Sequence, residues 1–471
     1  MSSSDAGVSH FAPKITDREA TGYDYFHREA PENNFTRSEY VIVKPLNALG
    51  NGPIWCEVGH EQSNYLVPLD NIEARLKLQI LDEDGEALAA GVNGNASLIN
   101  FAAERSLENI NVKLMGESIN DSHRLHPYKV GLIKHLSYGH MAKTYNLGVE
   151  RFKEETSTTT TAVDSTCANY VDKVDLVDGS PVCHFNFMPL IDIASGNNWL
   201  CMGHKLFLEF ERGKDNFVML RKTGTSGTYK IKIIDFELQI KKLYPTDAFR
   251  QRLEKSLQTK PAVYSFTRNV LRTFAVHSGV KHIEWNNIFI GKETCIYYLY
   301  YSITCFFFLY IIIYLFIGQL PTALYFILLD NDQISGSIDT NPDTWLDYGC
   351  NRAHLIINGY THPADSVRYD KSTKNIFNGY RWFLQNIGIG QSNDDVEISM
   401  DKYYKDKFVI PFDLSHRGDC GFMAQANENG TVSYRCEFST ATTKPLTLLV
   451  LASFDSNILV DKDKNVKMDY I

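Results

Sequence analysis

The sequence lacks the features of a secreted protein and of a protein that coats nucleic acid. Its nine cysteines are scattered and odd in number, which argues against a fully paired disulfide framework and favours a reducing compartment. The polar start, Met1 to Gly7, has no basic region and no apolar core, so we expect no secretory signal. There is no basic tract and the net charge is -9, which argues against non-specific nucleic-acid binding.

Motifs for common catalytic and cofactor chemistry are also missing. The sequence has no phosphate-binding glycine loop and no dinucleotide fingerprint. Ser415-His416, with Asp413 and Asp419 nearby, invites comparison with a hydrolase triad. A triad is defined by geometry and no nucleophile elbow accompanies these residues, so a polar turn is the better interpretation. The residues therefore give no candidate catalytic or cofactor-binding side chain.

Two groups of residues could be read as metal ligands. Cys183-His184 and Cys201-x-x-His204 supply four potential zinc ligands, but neighbours on a strand point to opposite faces. The acidic run from Asp82 to Asp84 lacks the later glutamate of a calcium loop and is more typical of a turn. We therefore predict no metal site.

What the chain does have is a strong β pattern. Tyrosine and phenylalanine are abundant, at 26 and 27 residues, and both favour strands. In the first half, alternation of apolar and polar residues predicts buried strand faces. These faces consist of Ala74, Leu76, Leu78 and Ile80; of Leu206, Leu208 and Phe210; and of Ile234, Phe236, Leu238 and Ile240. Other predicted strands are Tyr40 to Lys44, Ile54 to Val58, Cys183 to Phe187 and Leu190 to Ile193. Roughly eight strands and one helix fit one jelly-roll sandwich.

The second half has the same character. Its predicted strands are Ala262 to Phe266, Ala323 to Leu329, Leu355 to Ile357, Phe408 to Phe412, Ser433 to Phe438 and Leu446 to Phe454. One supersecondary unit is present in both halves. Asn111 to Gly116 predicts a strand and a turn, and His126 to Leu136 then predicts a helix opened by Pro127. About 240 residues later, Ala353 to Gly359 and Ile376 to Leu384 repeat this order, which indicates two similar tandem domains.

These patterns predict four regions. Residues 1–37 form an extended or disordered arm, 38–245 the first jelly roll, 246–260 a linker and 261–471 the second jelly roll. Each jelly roll is expected to be an eight-stranded, all-β sandwich with one short helix.

A long apolar run interrupts the second region. Cys295 to Ile317 carries no charge and is long enough to cross a bilayer, so one interpretation is a membrane anchor. However, it contains no Ala, Val, Gly or Met, which membrane helices normally use. Phe-Ile-Gly occurs both at 289–291 and at 316–318, and removal of 292–318 restores a continuous strand and loop. We therefore favour the hypothesis that 292–318 is a retained intron.

Without this insert, the chain resembles the major capsid proteins of Polinton (Maverick) elements and the related adintoviruses. The residues that carry the resemblance lie along most of the chain from about 40 to 471. They are Tyr65 to Leu69 with Asp84-Gly85, Tyr128-Lys129, Ser137 to Gly139, Gly318 to Pro321, Leu329 to Asp332, Asn341-Pro342, Phe454-Asp455 and Asp461 to Tyr470. The chain departs from the family at 292–318.

The resemblance implies a double jelly roll that assembles into a virion shell and has no catalytic activity. It implies pseudo-hexameric homotrimers, a penton or minor capsid protein as a further partner, and assembly inside the host cell. No cofactor and no sequence-specific nucleic-acid contact is implied. Two alternatives stay open: a membrane-anchored β-rich protein that uses 295–317, and a β-sandwich enzyme or lectin, which rests on fold analogy alone.

The intron hypothesis gives a direct prediction. We expect complementary DNA sequenced across codons 285 to 325 to join Gly291 to Gln319 in frame, with the 27 codons of 292–318 absent. Amplification of the genomic segment with the same primers is the control. Transcripts that uniformly keep these codons would contradict the hypothesis.

Overall fold

The computed structural model describes residues 34–50, 52–91, 95–119, 123–155, 167–289, 294–298, 312–316, 318–369, 376–390, 395–415 and 429–469. The principal strands of the first half are β1 Phe35–Val43, β2 Ile54–Val58, β3 Glu73–Asp82, β4 Leu107–Leu114, β5 Glu117–Ser118, β6 Cys183–Phe187, β7 Leu206–Arg212 and β8 Tyr229–Pro245. Those of the second half are β9 Ala262–Val276, β10 His282–Trp285, β11 Ala323–Asp330, β12 Cys350–Ile357, β13 Tyr360–Arg368, β14 Ile410–Asp413, β15 Val432–Phe438, β16 Leu446–Val460 and β17 Val466–Asp469.

The helices and the shorter strands lie between these elements. The helices are α1 Ala102–Arg105, α2 His126–Ser137, α3 His140–Tyr145, α4 Ala168–Val171, α5 Asp247–Thr259, α6 Asn331–Ser335, α7 Ile376–Asn386 and α8 Met400–Lys405. The shorter strands are Val67–Pro68, Ala96–Leu98, Trp199–Leu200, Met219–Arg221, Thr294–Tyr298, Ile312–Phe316, Gly318–Gln319 and Asn429–Gly430.

The two halves have the same strand order. In the first half the sheets run β1-β8-β3-β6 and β2-β7-β4-β5, with antiparallel pairing throughout. In the second half they run β9-β16-β11-β14 and β10-β15-β12-β13. Adding eight to each strand number converts the first pattern into the second. Among the principal strands of the described residues, the second half has one more, β17, which pairs with the end of β16.

Each pair of sheets packs face to face through aromatic rings. In the first half, Phe210 of β7 contacts Phe236 of β8 with ring centroids 4.9 Å apart. In the second half, Phe326 of β11 stacks on Tyr434 of β15 at 4.0 Å. All four rings are buried, so each half is a sandwich whose core lies between its two sheets.

Most predicted strand faces are confirmed, with one exception that has a clear cause. Ala74, Leu76, Leu78 and Ile80 of β3 are buried, as their alternation predicts. On β8, however, Ile234 is 40% exposed while Phe236 is buried. The pairing of β8 with β3 shifts register between Ile233 and Asp235, and this bulge reverses which residues face inward.

The repeated unit of strand, glycine turn and helix is also present in both halves. β4 and β5 are followed by α2, and β12 and β13 are followed by α7. Pro127 lies in the first turn of α2, where its missing N–H costs no helical hydrogen bond. The prediction of a single short helix in each half is wrong, because α1, α3 and α4 in the first half and α6 and α8 in the second form in the connections.

Three other expectations differ from the structure. Leu190 to Ile193 is not a strand, because the carboxylate of Asp192 turns inward to bind Lys129 and Asn269. β1 begins at Phe35, within the predicted arm, and the remainder of that arm lies outside the described residues. In the linker a short helix is expected from Gln251 to Leu257, but α5 extends from Asp247 to Thr259, and its N-cap Thr246 accepts a hydrogen bond from the Phe249 N–H.

The apolar run forms strands where the structure describes it. Residues Thr294–Tyr298 pair with Ile312–Phe316 as an antiparallel hairpin between β10 and β11. Across the described ranges, no helix is both long and apolar enough to cross a membrane.

Candidate functional site: a buried polar junction between the two sandwiches

The two sandwiches meet at a cluster of charged side chains that is almost completely shielded from solvent. Arg105, at the end of α1 in the first half, donates from Nη2 to Oδ1 of Asp343 in the second half over 2.6 Å. The two side chains are 1% and 0% exposed. Removing both charges from water costs several kcal/mol per ion, so the pair is tolerated only with close geometry and further hydrogen bonds.

Those further hydrogen bonds come from both halves. Arg105 Nε donates to the Pro127 carbonyl at 2.9 Å, which connects α1 to the start of α2. Lys407, which follows α8, donates from Nζ to the Asp343 carbonyl at 2.5 Å and lies 3.5 Å from the Glu155 carboxylate. Burial disfavours the charged form of Asp343, but Arg105, the contact with His135 and Lys407 together outweigh it and hold its pKa far below its usual range.

Glu155 extends the junction through amides from each half. Its Oε2 accepts from Asn341 Nδ2 at 2.9 Å, and its Oε1 accepts from Asn100 Nδ2 at 3.1 Å. Lys173 donates to Asn100 Oδ1 at 2.6 Å. Burial raises the pKa of Glu155 and lowers that of Lys173 to about 7, as expected for ionisable groups taken out of water.

Helix α2 lies across the junction, and a glycine on this helix makes room for the Arg105 side chain. A side chain at Gly131 would begin 2.0 Å from Arg105 Nη2, so only glycine leaves room for the guanidinium. His135, on the same helix, has Nε2 at 3.5 Å from Asp343 Oδ2. Its pKa is lowered to about 3 by burial, which keeps the ring neutral at physiological pH. The Tyr128 hydroxyl donates to the Gln333 carbonyl of the second half at 2.7 Å.

A second set of contacts joins the sandwiches through β9. Asp192 pairs with Lys129 at 2.5 Å and also accepts from the Asn269 N–H at 3.1 Å. The Tyr264 hydroxyl lies 2.7 Å from His204 Nδ1 and accepts a hydrogen bond from the Cys201 N–H at 3.0 Å. The Cys201-x-x-His204 motif, considered above for zinc, therefore contacts a tyrosine of the other sandwich.

The other side chains considered as metal ligands serve structural roles. Cys183 is buried and donates to the Leu176 carbonyl at 3.3 Å, while His184 is exposed on the opposite face of β6. Asp82 Oδ1 accepts from the N–H groups of Asp84 and Glu86, as in an acidic turn. Within the described ranges, no three His, Cys, Asp or Glu side chains gather as metal ligands would.

The predicted polar turn at Asp413 is partly described. Asp413 Oδ1 accepts from the Ser415 N–H at 2.9 Å, which is a local turn contact. His416 and Asp419 lie outside the described residues.

The junction residues themselves have no recognisable signal in the sequence. Arg105 and Asp343 are 238 positions apart, and neither lies in a recognisable motif. The one local signal is α2, where Lys129, Lys134 and His135 lie among apolar residues and are all buried. A helix with lysines and a histidine among its apolar positions must place these polar groups against partners from other elements.

Comparison with known proteins bears on the fold. No protein-family model matches the chain, and no curated protein matches it in sequence. A chain of the Sputnik virophage, solved by cryo-EM, covers 97% of this chain and 93% of its own length, with a TM-score of 0.57 and 9% identity. The mavirus major capsid protein covers 100% and 97%, with a TM-score of 0.52 and 12% identity. A chain of the PBCV-1 virus capsid covers 95% and 99%, with a TM-score of 0.50 and 10% identity.

The fold of this chain is therefore a double jelly roll. The likeness extends along nearly the whole of each chain, so it includes both sandwiches and their connection. This confirms the predicted fold class.

We predict that Asp343→Asn destabilises the chain by about 3 to 5 kcal/mol, because it leaves Arg105 buried without a counter-charge. Asp339→Asn is the matched control, since Asp339 also binds an arginine, Arg221, but is 51% exposed. The loss of unfolding free energy in Asp339→Asn should stay below about 1 kcal/mol. Urea unfolding followed by tryptophan fluorescence measures both. Equal, small effects of the two changes would contradict the role of the junction.

A second cluster, next to the junction, predicts a pH dependence. Lys134 Nζ lies 2.6 Å from Glu104 and 2.5 Å from Glu150, so two carboxylates share one cation. Burial raises the pKa of Glu150 from 4.5 to about 7. Between these two values the folded state binds a proton that the unfolded state has lost, so this group's contribution to stability falls as the pH rises.

Glu150→Gln removes that titration. We expect the stability of the Gln variant relative to the unsubstituted chain to increase from pH 4.5 to pH 7 and then to level off. Urea midpoints at half-unit pH intervals measure this difference. A difference that stays constant over the range would show that Glu150 is ionised throughout.

Proposed function

We propose that this chain is the major capsid subunit of a virus or an integrated viral element, and that it acts by self-assembly rather than by catalysis. The observation that carries the proposal is the pair of sandwiches with identical strand order, held by buried charges. The solved neighbours support it, since one is a major capsid protein and another belongs to a virus capsid.

The geometry of the fold suits the proposed role. Two similar sandwiches in one chain, taken three times around an axis, give a perimeter of nearly sixfold symmetry. Such a block can tile an icosahedral facet, provided that the two sandwiches keep a fixed relation to one another. The buried junction supplies that rigidity, because any relative movement would separate charges that have no access to water.

One flank of the first sandwich is a suitable surface for contact between copies. β1 and β2 are the edge strands of their sheets, and in the described ranges each is hydrogen-bonded to a strand on one side only. The exposed apolar side chains of β1 and β2 are Tyr40, Ile42 and Trp55, and Leu46, in the segment between the two strands, is exposed as well. A long apolar edge strand is prone to association, so we propose that a second copy of this chain covers this flank.

The finer features of the proposal follow the resemblance described above. The subunit would form pseudo-hexameric homotrimers that contact neighbouring capsomers and a penton or minor capsid protein. It would be part of the virion and would assemble inside the host cell. A Polinton-like virus or integrated element would encode it, and the proposal assigns it no sequence-specific contact with the genome.

Mass measurement in solution tests the assembly directly. We expect the chain, expressed both in full and with 292–318 deleted, to elute at three times the mass of one subunit in size-exclusion chromatography with light scattering. The comparison of the two forms is the control for the effect of the apolar run. Monomers at all concentrations up to about 1 mg/ml in both forms would contradict the proposal.

Ile42→Asp tests the proposed flank. A charge at this exposed edge position should reduce the trimeric fraction at least tenfold, because it would be desolvated in the contact between copies. Val171→Asp, which changes a valine that is 50% exposed on α4, is the control and should leave the trimer intact. Circular dichroism checks that both variants fold. Trimers that persist in Ile42→Asp, or that are lost equally in both variants, would exclude this flank.

A further inference from the structure

Two cysteines of the second sandwich lie in contact inside its core. Cys350 is at the start of β12 and Cys436 is within β15, the neighbouring strand of the same sheet. Their Sγ atoms are 3.2 Å apart, and each residue is 2% exposed. Both are free thiols in this structure.

The strand pairing explains the contact. Cys350 is opposite Phe438, so Cys436, two residues away on β15, is its diagonal neighbour on the same face of the sheet. The register shifts between Cys350 and Arg352, and such a bulge increases the local twist of the strand. A disulfide needs the sulfur atoms about 2.05 Å apart, so an approach of roughly 1 Å would complete the bond.

The other buried cysteines are placed differently. Cys183 donates its thiol hydrogen to the Leu176 carbonyl at 3.3 Å, so its sulfur is engaged with the backbone. Cys56 lies on β2 of the first sandwich, and burial raises the pKa of its thiol to about 12. For the pair, by contrast, each thiol has a second sulfur as its neighbour.

We propose that Cys350 and Cys436 are a disulfide-forming pair, a modification site that a small disulfide oxidant such as oxidised glutathione converts to a covalent staple between β12 and β15. This inference is independent of the proposed capsid role.

The chemistry balances with that oxidant. The thiolate of one cysteine attacks a sulfur of oxidised glutathione, which forms a mixed disulfide and releases one glutathione thiolate. The thiolate of the second cysteine then attacks the protein sulfur of the mixed disulfide and displaces the second glutathione. Two protein thiols are oxidised, one glutathione disulfide is reduced to two thiols, and the two protons pass to the glutathione thiolates.

The staple would act on a large part of the second sandwich. The two cysteines are 86 residues apart, and the loop that they close includes β13, α7, α8 and β14. Closing a loop of this length removes much conformational freedom from the unfolded chain. The bond would therefore fix the two central strands of one sheet to each other and restrict unfolding of everything between them.

The reaction is expected to be slow in the folded chain. The hydrogen bond to Cys436 and burial raise the pKa of the Cys350 thiol well above 9, so its thiolate is scarce at neutral pH. Oxidation should accordingly accelerate as the pH rises, and it should be fastest while the chain folds and its core is open.

The test exposes the full chain to oxidised glutathione in two ways, as the native protein at pH 7 and pH 9 and during refolding from urea. Free thiols are then blocked in denaturant and the digest is analysed by mass spectrometry. We expect a peptide pair linked through Cys350 and Cys436, with a mass lower by about two hydrogens than the sum of the two free peptides, and a melting temperature higher by roughly 5 °C.

Two variants make the outcome decisive. Cys436→Ser should lose both the linked peptide and the shift in melting temperature, whereas Cys183→Ser should keep both. Absence of the linked peptide in the native and the refolded samples would overturn the proposal. So would a mixed disulfide with glutathione at Cys350 or Cys436 that never resolves into the pair, or preferential linkage of either residue to another cysteine.

Discussion

The fixed relation of the two sandwiches depends on charges that have no water around them. Arg105 and Asp343 come from different halves, are 2.6 Å apart and are both fully buried. Such a pair adds little net stability compared with an apolar contact, but breaking it is costly because each charge then loses its nearest counter-charge. The junction therefore acts mainly through specificity: it permits one arrangement of the two halves and penalises the others.

The junction holds together two sandwiches that have the same strand order. A single jelly roll is a complete sandwich with its own core, and nothing in its topology requires a second. Here a second sandwich with the same order follows after α5, and Glu155, Lys407 and Asn341 fasten it to the first. A near-sixfold building block needs a rigid pair of similar units. The proposed assembly therefore depends on the polar junction.

The sequence predicts the sandwiches well and the junction hardly at all. Strand faces such as Ala74 to Ile80 repeat every two residues, and Pro127 and the apolar spacing that follows it predict α2. Both can therefore be predicted from the local sequence. The repeat of β4, β5 and α2 by β12, β13 and α7 is predictable for the same reason. The outward position of Ile234 is not predictable, because a bulge depends on the partner strand, and Arg105 and Asp343 carry no local sign that they will be buried together. Cys350 and Cys436 are likewise brought together only by the pairing of two strands.

Electron microscopy of the purified protein tests the central claim most directly. Class averages viewed along the symmetry axis should have a hexagonal outline with six similar lobes, two from each of three subunits in a constant relation. Lobes whose relative orientation varies from particle to particle, or particles with a single sandwich per subunit at their perimeter, would contradict the account.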